Sequence, residues 1–593
     1  MPFWLYTVAA TSEPIRATSG LHIIPDYTVD SANRLKKNMK TKMSNLLATG
    51  SLLMLVTACG DGSSSSTPAP TPNFAPAAPQ NLSIQDSVPR ENAMMVDPMF
   101  GDLTFSHLGY ADLAFSYSGD CTEGTTVRRS LVDLSSQDFD ELLDHKLRCT
   151  TLSANQTYTV GIDGQRTSGA LFEAGLTFST GIGSAPNINV LDSVMSPRDS
   201  VETMFRNYVT GSLLSKLDLP KAIEALILPS VLDLVDDSWP NLTQPGALYG
   251  VTSQRVSYPS RDPDGNESSA LTGLVVVPDT SGPFTPRNRI LVLSHSTGST
   301  PGDLDPTNTW YVLANVLASL GYLVIAADNW GRGYTSGEPE TYLMANRTAA
   351  NSLDLVRGVL TDDEYGEFYT PGNTAEFSII GYSQGGHSAI ALWQALVTQA
   401  PDDMVVREVY AGAGPYNLYQ TLRGVLQHLD NSCNAGAYCR YVDTETTVPF
   451  ATNRILPGFL DYTDTGLTAA DIIDGDSLTS EFVTGFLDNE QAYDNLKLLL
   501  QQNSFVNVTS VADSYSNSTA LLRLYHSDYD RLVPVANTAE LVATLDPHQT
   551  VEFRNEICNA SEFETIFNLT DFVGIVHTLC GLSMMNDVMA EFR

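Results

Sequence analysis

The spacing of apolar and polar positions divides the chain into three stretches. From 81 to 185, apolar and polar residues alternate over short runs, as at 113–117, 158–162 and 176–180, with turn-forming residues between. Alternation with a period of two is typical of strands that bury one face, and several short strands separated by turns indicate a sandwich. We therefore predict a small all-β sandwich over residues 81–185.

The middle stretch, residues 186–247, has a different period. Apolar residues recur at spacings of three and four over 200–214 and again over 220–235. This spacing places apolar side chains on one face of a helix. We predict a helical segment that either covers the mouth of a functional site or packs against a sheet.

The third stretch, residues 248–593, alternates short apolar runs with helical patterns. Helices are predicted at 307–320 and 345–360, and the turn-forming residues 262–265 predict a hairpin. Alternating strands and helices are typical of the α/β class, a mostly parallel sheet with helices on both faces. The predicted strands lie at 255–258, 271–277, 290–293, 322–326, 377–380, 406–411, 521–525 and 551–553.

Composition and charge narrow the classes of partner. The chain of 593 residues exceeds one ordinary domain, and its hydrophobic fraction of 42% is normal for a soluble globular protein. The formal net charge is −36, from 68 acidic and 32 basic residues. Such a surface repels phosphate backbones, which disfavours a nucleic-acid partner. The acidic residues are spread along the chain, which favours a solubilising surface over a dedicated acidic site.

One predicted strand runs directly into a motif of small residues. Residues 377–387 read Phe-Ser-Ile-Ile-Gly-Tyr-Ser-Gln-Gly-Gly-His, and a helix-permissive stretch follows. A sharp turn between a strand and a helix holds a serine in a strained, exposed position, provided that its neighbours are small. Gly381, Gly385 and Gly386 meet that condition. Ser383 is therefore the candidate nucleophile.

A serine hydroxyl needs a base to take its proton and a third group to orient that base. After the strand at 521–525, residues 526–534 read His-Ser-Asp-Tyr-Asp-Arg-Leu-Val-Pro. This segment resembles the His-Gly-x-x-Asp-x-x-Val-Pro loop of α/β-hydrolases, with Ser527 in place of glycine. The resemblance implies that Asp530 is the acid. Asp528 is the alternative, and its side chain is otherwise interpreted as stabilising the turn.

In α/β-hydrolases the base follows the acid along the chain. His548 and His577 are the histidines after the acid loop. His548 lies between a predicted helix and the last predicted strand, where a loop histidine is unremarkable. His577 lies in the terminal segment 574–580, and we predict that it is the base.

The oxyanion of an acyl-transfer intermediate needs preorganised N–H donors. The backbone N–H of Gln384, directly after the candidate nucleophile, is one. Residues 294–300, Ser-His-Ser-Thr-Gly-Ser-Thr, follow a predicted strand and resemble the His-Gly oxyanion loop of lipases. Ser296 or Thr297 would supply the second N–H, with Thr297 favoured. His295 is interpreted as structural.

Taken together, these motifs resemble the secretory lipase and esterase branch of the α/β-hydrolases over residues 248–593. Residues 412–416, Gly-Ala-Gly-Pro-Tyr, add to the resemblance. It implies an α/β-hydrolase fold with a cap at 416–515, and a carboxylic-ester hydrolase that needs no metal or organic cofactor. Apolar stretches of the cap, such as 455–460 and 482–486, would line an acyl pocket under a lid or form the core of the cap.

Other functions share this pattern. A serine peptidase of the prolyl-oligopeptidase kind has the same order of catalytic residues, although no β-propeller precedes the catalytic region. An acyltransferase differs only in its second acceptor, and a catalytically silent hydrolase fold would serve surface binding. The complete set of Ser383, Asp530 and His577 favours a lipase or esterase that acts on a small-molecule or lipid ester.

The N-terminal region carries features of export. Residues 39–42 are basic, and the apolar stretch at 46–58 is too short to span a bilayer as a helix. It ends in Val-Thr-Ala-Cys, so residues 39–58 resemble a bacterial lipoprotein signal. The resemblance implies lipidation of Cys59 and a lipid-anchored protein of the bacterial cell envelope, at the outer membrane or secreted.

The segments on either side of this signal complete the domain organisation. The Ser- and Pro-rich residues 59–80 lack the apolar content to fold and would act as a linker. Residues 1–38 fit no leader, so we predict a non-native extension and a start at Met39. The β stretch at 81–185 resembles bacterial Ig-like domains through the approach to a tyrosine corner at 152–158, and its expected role is spacing rather than carbohydrate attachment.

The six cysteines other than Cys59 fall into pairs close in sequence. Fifteen pairings are possible, of which the local set is favoured. Disulfides imply an oxidising compartment, whereas metal binding lacks a Cys-x-x-Cys motif or clustered histidines. The favoured pairs are Cys121–Cys149, Cys433–Cys439 and Cys558–Cys580.

Overall fold

The computed structural model describes six strands between residues 100 and 179 by their backbone pairing, and residues 188–593 with gaps. The gaps are 209–232, 234, 264–266, 286, 367, 369–373, 400–403, 434–435, 441, 464, 507–517, 547–548 and 560–573. Residues 1–38, the predicted signal at 39–58, Cys59 and the linker at 59–80 lie outside the described residues and stay predictions.

Six antiparallel strands make up the N-terminal β region. They are β1 (Phe100–Tyr110), β2 (Leu113–Gly119), β3 (Cys121–Ser130), β4 (Phe139–Thr150), β5 (Thr157–Arg166) and β6 (Leu171–Ser179). Two three-stranded sheets result, in the orders β1-β4-β3 and β2-β5-β6. This confirms the all-β prediction. Cys121 lies opposite Cys149 in the β3–β4 register, but the predicted bond between their sulfur atoms lies outside the described side chains.

A nine-stranded sheet forms the second region. Its strands are β7 (Asn189–Ser196), β8 (Val251–Arg261), β9 (Glu267–Pro278), β10 (Ile290–Ser294), β11 (Leu323–Ala327), β12 (Ala375–Tyr382), β13 (Met404–Gly412), β16 (Leu521–Tyr525) and β17 (Thr550–Phe553). The short strands β14 and β15 belong to the cap and are not part of this sheet. The order is β17-β16-β13-β12-β10-β11-β9-β8-β7. The six strands from β10 to β17 pair in parallel, whereas β7, β8 and β9 join antiparallel. This confirms the predicted α/β-hydrolase fold.

The central strands are apolar throughout because both of their faces are covered. All five residues of β10 and of β11 are buried, as expected for parallel strands between two helical layers. Neighbouring residues point to opposite sides, so Val292 packs into one core and Leu291 into the other. Ile379 and Ile380 of β12 divide in the same way. The sheet is therefore the rigid floor from which the site is built.

One strand lies where helices were predicted. Within the stretch 186–247 the structure has β7, which pairs with β8 and extends the sheet by one strand. Seven of its eight residues are exposed, so its sequence carries no alternation for a pattern to reveal. Helices are present at Arg198–Glu202 (α1) and Pro240–Thr243 (α2), and the rest of the predicted helices lies mostly outside the described residues.

Helices connect the parallel strands, as the sequence predicts. The side chain of Asn308 begins the first of these helices by accepting hydrogen bonds from the N–H groups of Trp310 and Tyr311. The helices are α3 (Thr309–Ala318), α4 (Ala345–Thr361), α5 (Gln384–Gln399), and, after the cap, α12 (Ala536–Leu545), α13 (Asn555–Cys558) and α14 (Ile575–Phe592). Short 3-10 turns lie at Pro301–Asp303, Gly333–Thr335, Asp363–Tyr365 and Gln491–Tyr493.

The cap lies between β13 and β16. It comprises α6 (Leu418–Leu429), α7 (Thr444–Phe450), a π turn (Ala451–Ile455), α8 (Leu456–Tyr462), α9 (Ala469–Ile472), β14 (Ile473–Asp474), β15 (Ser477–Leu478), α10 (Ser480–Leu487) and α11 (Asp494–Gln502). Phe459, Phe482 and Phe486 are fully buried in a cluster of their own. Most of the aromatic residues that the sequence singled out therefore form the core of the cap.

Candidate active site

The strand–turn–helix motif folds as a tight elbow. β12 ends at Tyr382, α5 begins at Gln384, and Ser383 between them has a φ of 60°. A serine at positive φ is strained, and such strain is frequent at functional sites. A Cβ at Gly385 would overlap the Ser294 carbonyl, and one at Gly381 would overlap the Gly385 carbonyl. Glycine at these positions lets the elbow lie directly against the loop after β10.

The structure brings the three predicted residues together in one hydrogen-bonded chain. His577 Nε2 lies 2.9 Å from Ser383 Oγ, and His577 Nδ1 lies 2.6 Å from Asp530 Oδ2. A carboxylate only accepts hydrogen bonds, so Nδ1 carries the proton and donates to Asp530. In the neutral ring Nε2 is then free to accept the hydroxyl proton of Ser383. This is the arrangement in which a histidine acts as a general base towards a serine.

Asp530 is buried and its carboxylate is held from several sides. Its Oδ1 accepts the backbone N–H groups of Leu532 and Val533 at 2.9 and 3.0 Å. Burial on its own raises the pKa of Asp530, but the electrostatic interaction with His577 and hydrogen bonds from His526 and His577 outweigh it. The pKa therefore lies below the ordinary value, and the group stays ionised beside the histidine.

A second histidine supports the same carboxylate. His526 is fully buried, and its Nε2 donates to the Val533 carbonyl at 2.8 Å while lying 3.4 Å from Asp530 Oδ2. The hydroxyl of Thr538 donates to the other ring nitrogen at 2.6 Å. The residue was visible in the sequence as the first position of the acid loop, but no pattern assigned it this role.

The alternative residues lie elsewhere. Asp528 is exposed and bonds to Asn559 at 3.3 Å, so Asp530, not Asp528, contacts the histidine. His295 is buried; its Nδ1 donates to the Ser296 carbonyl at 3.0 Å and its Nε2 accepts the side-chain N–H of Asn329 at 3.2 Å, which fits its structural interpretation. His548 lies outside the described residues.

His577 lies in the first turn of α14, the terminal helix. The hydroxyl of Tyr382, at the end of β12, donates to the His577 carbonyl at 2.5 Å, and the two rings lie 5.1 Å apart. A disulfide joins Cys580, three residues further along α14, to Cys558 at the end of α13. The predicted disulfide between Cys433 and Cys439 is also present. The helix that carries His577 is thus fixed to the elbow and to α13.

The candidate oxyanion donors face the same space as Ser383. Gln384 is the first residue of α5, where a backbone N–H has no partner within the helix. Among the described residues, the N–H of Thr297 also donates no hydrogen bond. The Ser296 hydroxyl accepts the indole N–H of Trp310 at 2.8 Å. Ser296, Thr297 and Gln384 all line one cavity with Ser383 and His577.

That cavity, of about 150 Å³, lies between the sheet and the cap. Its lining is largely apolar, and α14, α3 and the cap contribute to it together with the elbow and the loops after β10, β11 and β16. Helix α14 contributes Thr578, Gly581, Leu582 and Met585 beyond His577. The cap residues that line it are Leu418, Thr421, Leu422, Val425, Thr446, Thr447, Phe450, Ala451, Ile455, Leu456 and Leu500. These residues fit the pocket interpretation of the cap, whereas Phe459, Phe482 and Phe486 form its core.

Two further residues beside the site were not foreseen. Glu340 and Tyr342, in the loop between β11 and α4, hydrogen-bond to the side chains of Gln384 and Thr297. Nothing in the sequence marks this loop, because its contacts join residues 44 and 45 positions apart.

The described residues contain neither a metal-binding cluster nor a membrane-spanning helix. No group of three His, Cys, Asp or Glu side chains suited to a metal occurs in the described part of the chain. Within the same residues, every helix is too short or too polar to cross a bilayer.

Comparison with solved structures finds matches at low sequence identity. The rice cell wall degrading esterase LipA from Xanthomonas oryzae is 17% identical, covering 68% of this chain and 97% of its own, with a TM-score of 0.43. A hydrolase from Legionella pneumophila is 17% identical over 68% and 97%, with a TM-score of 0.42. An acetyl xylan esterase from Paenibacillus sp. R4 is 14% identical over 51% and 77%, with a TM-score of 0.27. No protein-family model and no curated protein matches the sequence.

Proposed function

We propose that this protein is a serine-dependent carboxylic-ester hydrolase that works through an acyl-enzyme intermediate. The observation that carries the proposal is the hydrogen-bonded chain from Asp530 through His577 to Ser383, which ends at an apolar cavity. A buried carboxylate, an oriented imidazole and a strained serine are the parts that nucleophilic catalysis needs.

In the first half of the reaction the ester becomes an acyl-serine. Ser383 Oγ attacks the ester carbonyl as His577 Nε2 takes its proton, and Asp530 stabilises the imidazolium through the Nδ1–H hydrogen bond. The amides of Gln384 and Thr297 bind the negative oxygen of the tetrahedral intermediate. The imidazolium then protonates the leaving alcohol, and the C–O bond of the ester breaks.

In the second half, water replaces the alcohol. His577 takes a proton from water, whose oxygen attacks the acyl-serine carbonyl, and the same two amides bind the second oxyanion. Collapse of this intermediate returns the proton to Ser383 Oγ and releases the carboxylic acid. The apolar cavity next to Ser383 suits a hydrocarbon part of the ester rather than a charged one.

Covalent labelling tests this proposal. An alkyl fluorophosphonate should label the wild-type protein, because the phosphorus centre imitates the tetrahedral intermediate, and Ser383→Ala should abolish the labelling. The control is Ser388→Ala, which removes a serine of the helix that follows the elbow and should leave labelling intact. Labelling that survives in Ser383→Ala would contradict the assignment of the nucleophile.

A paired substrate assay separates ester hydrolysis from peptide hydrolysis. We expect chromogenic esters to be cleaved and matched anilides of the same acyl groups to be cleaved far more slowly. Faster cleavage of the anilides would favour a peptidase, and a transfer product formed in the presence of an added alcohol would favour an acyltransferase.

We also propose that the protein is exported and anchored by lipid on Cys59. The support is the sequence of residues 39–59 and the two disulfides, which suit an oxidising compartment. Mass spectrometry of the mature protein should find the N terminus at a modified Cys59, and Cys59→Ser should release the protein from the membrane fraction. A mature chain that retains residues 1–38 would contradict the proposed start at Met39.

A further inference from the structure

A single loop segment contacts both residues whose amides are proposed to bind the oxyanion. This segment, residues 340–343 between β11 and α4, is here called the strap. It contacts the elbow at one end and the loop after β10 at the other.

The elbow contact is a buried charged network. Gln384 Nε2 donates to Glu340 Oε1 at 2.5 Å, and Arg332 Nε donates to Glu340 Oε2 at 3.1 Å. Gln384, Glu340 and Arg332 are all at least nine-tenths buried. Hydrogen bonds to a charged group are short and strong when water is excluded. The side chain of Gln384 is therefore fixed, and with it the start of α5.

The second contact is made by Tyr342. Its hydroxyl lies 2.5 Å from Thr297 Oγ1, and the two residues are 3% and 8% exposed. The backbone of Thr297 lies in a loop rather than a helix or strand. This side-chain hydrogen bond joins the loop to the strap.

The cap lies on the same strap. A Cβ at Gly458 of α8 would overlap the Glu340 carbonyl oxygen, and the ring of Phe450 lies edge-on to the Tyr342 ring at 5.5 Å. Tyr462 of α8 donates to the Pro339 carbonyl at 2.8 Å, directly before the strap. The cap is therefore in direct contact with the segment that holds Gln384 and Thr297.

The backbone of the strap is strained where it meets the cavity. Leu343 has a φ of 57° and lines the cavity. A bulky residue at positive φ is an outlier that persists only where its surroundings impose it. The strap is thus held in one conformation rather than resting in a relaxed one.

We propose that Glu340 and Tyr342 are positioning residues that set the two oxyanion amides, and that the strap links the cap to the oxyanion hole. The inference rests on the proposed ester hydrolase function. The oxyanion exists only in the tetrahedral intermediate, so a loosened amide lowers kcat while substrate binding is unchanged. A strap that serves only folding would instead change stability and leave kcat unaffected.

The test compares variants that remove one hydroxyl. Tyr342→Phe and Thr297→Val should each lower kcat about tenfold with an unchanged KM, which is less than the ~10²–10³-fold cost of losing a donor outright. Thr297→Ser keeps the hydroxyl and should lose less kcat than Thr297→Val. The double variant Tyr342→Phe/Thr297→Val should fall no further than either single one, because both remove the same hydrogen bond.

Two more variants complete the experiment. Gln384→Met removes the contact with Glu340 and should give the same fall in kcat at unchanged KM. Tyr493→Phe removes the hydroxyl of another buried tyrosine in the cap cluster and should leave kcat unchanged. Thermal unfolding of every variant shows whether it is folded at the assay temperature.

The outcomes are distinguishable. If the wild type hydrolyses esters and Tyr342→Phe and Thr297→Val keep the wild-type kcat, the proposed positioning role of the strap is wrong. The proposed function then stays intact. Equal losses of kcat in Thr297→Val and Thr297→Ser also contradict this role, because the hydroxyl of residue 297 would then not contribute to positioning the amide. A wild type that neither hydrolyses esters nor takes up the fluorophosphonate overturns the proposed function, and the strap with it.

Discussion

At the scale of single residues, two aspartates two positions apart provide a matched pair. Asp530 accepts the His577 Nδ1–H at 2.6 Å, whereas Asp528 is exposed. Asp530→Asn would present an amide to the ring and favour the wrong tautomer, so we expect kcat to fall by about 10⁴-fold. Asp528→Asn should remain close to the wild type. Steady-state hydrolysis of a chromogenic ester measures both, and an equal loss in the two variants would contradict the assignment.

The buried His387, four positions after Ser383, predicts a pH dependence of stability. Burial lowers its pKa to about 4, and a hydrogen bond to the Asn503 carbonyl offsets this only in part. The pKa of a histidine in an unfolded chain is about 6.5. Below that pH the unfolded state binds a proton that the folded state does not, so the free energy of unfolding decreases as pH falls towards about 4. The loss expected from this group is on the order of 3 kcal/mol.

The measurement compares urea unfolding of the wild type and of His387→Gln between neutral and mildly acidic pH. The glutamine does not titrate, so the variant should lose less stability than the wild type over this range. The comparison of slopes matters here, because His387→Gln also changes packing against Phe505, whose ring lies 4.7 Å away. Identical slopes for the two proteins would show that His387 binds its proton equally in both states.

At the scale of elements, the disulfide on α14 predicts an effect on both stability and activity. Cys558 and Cys580 are 22 residues apart, and their bond anchors the helix that carries His577. Replacing both by alanine should cost about 2–4 kcal/mol of unfolding free energy. It should also lower kcat, because the first turn of α14 positions the imidazole.

The second bridge is the control for this experiment. Cys433 and Cys439 are only 6 residues apart and both precede α7. Closing a shorter loop removes less entropy from the unfolded chain, so the double alanine variant should be destabilised less and should keep its kcat. An equal loss of kcat from both pairs, measured with the same ester, would show that the anchoring of α14 is not the cause.

Elements also show which parts of the molecule a sequence can reveal. The elbow, the acid loop and β10 to β13 were predictable because each is a local pattern, such as glycines flanking Ser383 or an unbroken apolar run. β7 was missed because an exposed edge strand has no buried face to alternate. Glu340 and Tyr342 were missed because their partners are distant in sequence, and only the folded chain brings them to Gln384 and Thr297.

At the scale of the whole molecule, the cavity arises only when the cap closes over the sheet. Its lining combines α14, α3 and the cap, so no single segment contains its shape. From the sequence, the apolar residues of the cap could either line a pocket or form the core of the cap. In the structure, some of them line the cavity and others form the core. The size of the cavity then predicts which esters fit.

A cavity of about 150 Å³ accommodates a hydrocarbon of about six carbons, as judged from an engineered cavity of that size that binds benzene. Among acetate, hexanoate and palmitate esters we therefore expect hexanoate to give the highest kcat/KM. Leu422→Trp, on the face of α6 that lines the cavity, should lower kcat/KM for hexanoate by about 10–200-fold while sparing acetate. The control is Leu429→Trp, which changes a more exposed leucine at the end of the same helix and should leave the order of esters unchanged. A fall of equal size for all three esters in Leu422→Trp would mean that the substitution disturbs the chain of Asp530, His577 and Ser383. An unchanged preference would place the acyl chain outside this cavity.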